Sequence, residues 1–178
     1  PGAAEIVGLF KTAEAGAPSG RLVAVAGLRG LPAARSSAHA LILTIGDYGA
    51  GIPPLKGVRH DADAAVMMAN GMGVPSSNIT VLRDGELSLD GMRRAFDALE
   101  ARVAPGDQVF IYYSGHGTRA AVPEAGGERC AEALLAADGQ AMLDEELEAR
   151  LRRLAERARR VVSFFDACHS GGMTTRLL

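Results

Sequence analysis

The chain has 178 residues, enough for one domain with its own core. Its 19 basic and 21 acidic residues leave a formal charge of −2, which lacks the basic footprint of a nucleic-acid binder. With 48% apolar residues it is not a disordered chain, and no apolar run approaches the ~18 residues that a membrane helix needs.

Residues 1–37 are rich in Gly, Ala, Pro and Ser. They read as an N-terminal arm or pro-segment, whose one apolar patch, Leu22 to Ala26, predicts a strand. The chain opens on Pro1 rather than Met, so the native N-terminus is expected to be missing or processed, and a signal peptide is neither seen nor excluded. Regular structure begins at Ala38. Ala40 to Ile45 is a continuous apolar run ended by Gly46-Asp47, the pattern of a strand buried on both faces. Pro53-Pro54 marks a loop. His60 to Met72 then carries Ala64, Ala65, Met68 and Ala69 at helical spacing, stopped by Gly71 and Gly73. Asn78 to Leu82 is a second strand. Ser88 is placed to cap a helix with Met92, Phe96, Leu99 and Val103 inward. After the Pro105-Gly106-Asp107 turn, Gln108 to Tyr113 is a third buried strand, and Ala133 to Ala137 a shorter one. Asp144 to Arg159 is an amphipathic helix with Leu147, Leu151 and Leu154 inward, and Val161 to Phe165 closes the series as a strand. Strands alternating with helices predict an α/β domain over 38–178, a mainly parallel sheet flanked by helices on both faces. Ligands of such sheets sit beyond the carboxyl ends of the strands.

Two of those ends carry reactive side chains among glycines. The strand ending at Tyr113 runs into Ser114-Gly115-His116-Gly117, and the one ending at Phe165 into Asp166-Ala167-Cys168-His169-Ser170-Gly171. A thiol and an imidazole brought together make a nucleophile and its base, since a neighbouring imidazolium favours the thiolate. His116 and Cys168 are 52 residues apart. His169 is a second candidate base, but successive residues leaving a strand point apart. Cys130 has no His at a useful spacing and no zinc-motif partners. Two free thiols fit a reducing, cytoplasmic compartment.

In these motifs, Tyr112-Tyr113-Ser114-Gly115-His116-Gly117 and Asp166-Ala167-Cys168-His169-Ser170-Gly171, the chain resembles the caspase-type cysteine peptidases, and among them the metacaspases, from Ala38 to Leu178. The resemblance implies that Cys168 is the nucleophile, His116 the catalytic histidine, and the backbone N–H groups of Gly117 and Cys168 the oxyanion hole. Such donors contribute about 3 kcal/mol each. A caspase that selects Asp at P1 carries Gln two positions before its Cys; here Asp166 stands there. A carboxylate repels an acidic P1 and pairs with Arg or Lys. Metacaspases add a pocket Asp in a Cys-x-x-Asp stretch. The matching stretch is Val58-Arg59-His60-Asp61, so Asp61 matches and Val58 replaces the Cys, while Ser114 matches the pocket Ser. Asp61 reads equally well as a first-turn carboxylate favoured by the helix dipole.

Many metacaspases need calcium. Asp144-Glu145-Glu146 resembles the family's acidic pair at this helix start, making Asp144 and Glu145 candidate metal ligands. The other ligand positions fall near Ala131 and Thr175, which lack carboxylates, and a hard cation wants several oxygens. A negatively charged first turn is the plain alternative. The arginines from Arg150 to Arg160 read as a solvated helix face. Gly27-Leu28-Arg29-Gly30 is a fragment of a phosphate loop without its Lys-Ser/Thr.

The expected function is therefore a cysteine endopeptidase cutting after Arg or Lys. A caspase-like scaffold with little turnover is the alternative, and a nucleotide-binding α/β domain stands third. The family's domain continues past this point, so a smaller second subunit from the same precursor is an expected partner, besides substrates with a basic P1. Neither nucleic acid nor membrane is expected as a partner. Arg176 and Arg35 are expected self-processing sites.

Overall fold

The computed structural model describes residues 37–49 and 51–167, together with the backbone of 5–10. The elements in chain order are β1 (Glu5–Phe10), β2 (Ala38–Thr44), α1 (Val58–Gly71), β3 (Ile79–Arg83), α2 (Leu89–Arg102), β4 (Gln108–Ser114), β5 (Gly117–Glu124), β6 (Gly127–Leu135), β7 (Ala141–Leu143), α3 (Asp144–Arg157) and β8 (Arg160–Asp166).

Five strands form one sheet in the order β1-β8-β4-β2-β3, and every pairing in it is parallel. All seven residues of β2 are buried, and its apolar Ala40–Leu43 run is what a strand covered on both faces requires. On one side Leu41, Leu43, Ile111, Tyr113 and Phe165 pack with Phe96 and Leu99 of α2 and Leu147, Leu151 and Leu154 of α3. On the other, Ala40, Ile42, Phe110 and Tyr112 meet Ala65 and Ala69 of α1. The α/β expectation with helices on both faces thus holds. Ser88 caps α2, its Oγ accepting from the Gly91 N–H at 3.1 Å.

Several expectations need correction. The buried stripe of α1 is Val58, Ala62, Ala65 and Ala69. Met68, expected inward, lies one position off this stripe and is 39% exposed. The short strand expected at Ala133–Ala137 is the end of β6, which belongs to a separate antiparallel sheet ordered β5-β6-β7. Its hairpin pairs Glu124 with Gly127 around Ala125-Gly126. Gly126 has φ 104°, a left-handed conformation that glycine adopts without strain.

Within the expected arm, Glu5–Phe10 forms β1 and pairs in register with Arg160–Phe165, covering the edge that β8 would otherwise present. The strand expected at Leu22–Ala26 and the Gly27–Gly30 fragment lie outside the described residues. Among the described residues no helix is long and apolar enough to cross a membrane.

Candidate active site

Three strand ends form one row. Thr44 of β2 is the register partner of Ser114 of β4, and Ser114 that of Asp166 of β8. Helix α1 brings Asp61 over this row, and Ser114 Oγ donates to Asp61 Oδ2 at 2.8 Å. The cleft above has a volume of about 250 Å³; its lining includes Leu55, Val58, Asp61, Ser114, His116 and Asp166. Buried Tyr112 lies beneath. Burial pushes its phenol pKa up, and the carboxylates of Asp61 and Asp166 push the same way. Both carboxylates therefore act on the same phenol. A second cleft of about 320 Å³ adjoins it through Leu55, Lys56 and Val58, and none of the expected site residues lines it.

His116 leaves β4 after Gly115 and is half-buried. Its Nε2 is 2.8 Å from the Pro53 carbonyl. A carbonyl only accepts, so Nε2 carries the proton and Nδ1 is left as the basic nitrogen. The ring packs against Tyr48 with centroids 4.8 Å apart, and the His116 N–H donates to the Tyr48 hydroxyl at 2.7 Å. Tyr113 Oη lies 2.9 Å from the His116 carbonyl and 3.0 Å from that of Leu135. Burial raises the pKa of both phenols, which keeps both in the neutral form. A Cβ on Gly115 would lie 2.6 Å from both hydroxyls, so only glycine fits between this tyrosine pair and the imidazole backbone.

The expected residues Asp61, Ser114, His116 and Asp166 thus share one cleft. Gly117 directly follows His116 and opens β5. The described chain stops at Ala167, which also lines the cleft; Cys168, His169, Arg176 and Arg35 lie outside the described residues. Cys130 sits exposed within β6.

Sequence reasoning missed Tyr48 and Pro53. An aromatic residue in the glycine-bounded loop after a buried strand was the available signal for Tyr48. For Pro53, the Pro-Pro pair announced a loop but not the carbonyl it presents.

The first turn of α3 does not fit a divalent cation. Asp144 Oδ1 accepts from the Glu145 N–H at 2.9 Å, Glu145 is ion-paired with Arg129, and Glu146 takes Arg93 through Nε at 2.9 Å and Nη2 at 2.8 Å. Arg93 and then Arg150 lower the Glu146 pKa against the opposing effect of burial. Among the described residues no three His, Cys, Asp or Glu side chains are grouped to hold a metal. The arginines of this helix also depart from expectation. Arg150 is buried, 2.7 Å from Asp97 and within reach of Glu100 and Glu146, with its guanidinium over the Phe96 ring.

A parallel sheet with an imidazole and a carboxylate at its strand ends, a second carboxylate brought over them by a helix, and a cysteine two residues past β8 in sequence is the pattern of the caspase-like α/β proteins. Residues 37–176 match the caspase domain, and the chain belongs to that family. It is 27% identical over 154 residues to metacaspase-2 of Trypanosoma brucei brucei, covering 80% of this chain and 44% of that protein. It is 26% identical over 138 residues to the inactive metacaspase-4 of the same organism, covering 71% and 39%. Among solved structures, protein GSU0716 from Geobacter sulfurreducens superposes with a TM-score of 0.62 at 27% identity, covering 75% of this chain and 51% of that one. The chain spans less than half the length of these two curated relatives.

Proposed function

We propose that this chain is the catalytic part of a cysteine endopeptidase that cuts after Arg or Lys. The observation that carries the reading is the shared cleft of His116, Asp61, Ser114 and Asp166. The Cys168 thiol gives its proton to Nδ1 of His116, and the thiolate attacks the scissile carbonyl. The N–H groups of Gly117 and Cys168 receive the oxyanion. Imidazolium His116 then protonates the leaving amine, and water hydrolyses the thioester with His116 as base. The P1 guanidinium or ammonium lies against Asp61 and Asp166, while an acidic P1 is repelled.

The same reading includes self-processing after Arg176 and Arg35, a smaller second subunit from the same precursor, and a reducing cytoplasmic setting. The test is turnover of fluorogenic peptides with P1 Arg, Lys or Asp, with Cys168→Ala and His116→Ala as controls. The expected result is cleavage after Arg and Lys only, falling by about 10³-fold or more in either variant. Cleavage after Asp would refute the specificity. A protein that stays inert towards Arg and Lys peptides, and whose thiol does not label preferentially, would instead be a caspase-like scaffold. Fragments sequenced from the active protein but absent from Cys168→Ala locate the self-processing sites.

A further inference from the structure

At the position where the family resemblance calls for calcium, this chain already holds a cation. Arg129 and the alanines that follow it at two-residue steps, Ala131 and Ala133, share one face of β6. Both alanines are buried, so this face looks into the protein, and the Arg129 side chain is 25% exposed. Its guanidinium ends on Glu145, in the first turn of α3. The next carboxylate, Glu146, is held by Arg93 and Arg150, and Asp144 is engaged by the backbone of its own turn. A calcium ion needs six to eight oxygens. To bind here it would have to displace Arg129 from Glu145.

We propose that the Arg129 guanidinium stands in for the family's calcium in this chain, bracing β6 against the start of α3 without any divalent cation. A cation tethered by its own side chain cannot be removed by a chelator. The consequence for catalysis, calcium-independent turnover, rests on the peptidase reading above; the ion pair and its bracing role do not.

The experiment is thermal melting of the full chain in excess calcium and in excess chelator, for wild type, Arg129→Gln, Arg129→Asp and Arg129→Asp with Glu145→Gln. Wild type is expected to melt at the same temperature in both buffers. Arg129→Gln should melt a few degrees lower in both. Arg129→Asp puts a third carboxylate beside Asp144 and Glu145; it should melt lowest in chelator and recover in calcium, the recovery vanishing when Glu145 is also changed. A wild-type melting temperature that rises with calcium overturns the proposal, as does an Arg129→Gln variant that melts with wild type. If Arg129→Asp does not fold, those two comparisons still decide it. Turnover of an Arg peptide in both buffers runs alongside; no turnover with the expected melting pattern refutes the peptidase reading alone.

Discussion

The molecule uses carboxylates in two opposite ways. Over the row of strand ends, Asp61 is met by the Ser114 hydroxyl, a neutral donor that orients the carboxylate, and among the described residues no guanidinium or ammonium pairs with it. Across the α2–α3 interface, Glu146 and Glu100 are met by the guanidiniums of Arg93, Arg150 and Arg153. A charge left without a counter-charge beside a cleft is available to a cationic ligand, while a matched one serves the fold. On the proposed reading, the difference between a recognition carboxylate and a structural one therefore lies in its partner, not in the residue type.

Removing a carboxylate from the cleft should have the largest effect. Asp166→Asn, and Asp61→Asn beside it, are expected to lower kcat/KM for P1 Arg peptides by about 10²-fold or more, since an ion pair losing one member costs roughly 2–5 kcal/mol. Alkylation of the Cys168 thiol should be nearly unchanged. Equal losses in both measurements would mean that these carboxylates shape the thiol site rather than read P1, and the contrast between the two clusters would collapse.

Breaking the matched cluster should act on stability instead. Arg150→Ala leaves Asp97, Glu100 and Glu146 without their shared buried partner and is expected to cost about 3 kcal/mol, measured by urea unfolding. The folded fraction should keep the P1 preference of wild type. A change in P1 preference would show the two regions to be coupled.

The smallest effect is one of pH. Because Arg93 holds the Glu146 pKa below its usual range, this group stabilises the fold above the ordinary carboxyl pKa of about 4.3. That contribution is lost as pH falls through the lower folded-state value. Glu146→Gln should melt below wild type at neutral pH, with the gap closing in acid. Salt should narrow it as well, since the pair is partly exposed. A gap that is constant with pH would assign the loss to packing rather than charge.

Local patterns in the chain were sufficient for the elements whose signal is short-range. The buried runs of β2 and β4, the apolar stretch of β8, the Ser88 cap, the apolar stripes of α2 and α3, the glycine-flanked His116, and Cys168 just past the last strand are all legible without tertiary information. Burial on both faces demands continuous apolar residues, and a cap demands a short polar side chain at one position. Antiparallel β5 and β6 were not legible, because their Ala, Arg, Glu and Pro123 carry little strand propensity and pairing across the Ala125-Gly126 turn supplies what propensity lacks. Nor was β1, whose apolar run is broken by Gly8 and whose partner β8 lies about 150 residues away in sequence.

The sequence by itself determined the order of β2, β3, β4, β8 and the three helices, and which residue types stand at those strand ends. Only the tertiary structure decided which of those residues meet. Ser114 reaches Asp61 across 53 residues, His116 finds Tyr48 and Pro53 across 68 and 63, and Glu145 falls to Arg129 rather than standing open. Periodicity and capping are properties of neighbouring residues and survive in one dimension. Whether a carboxylate faces a hydroxyl or a guanidinium depends on how parallel strands register and how helices cross them, which no local pattern encodes.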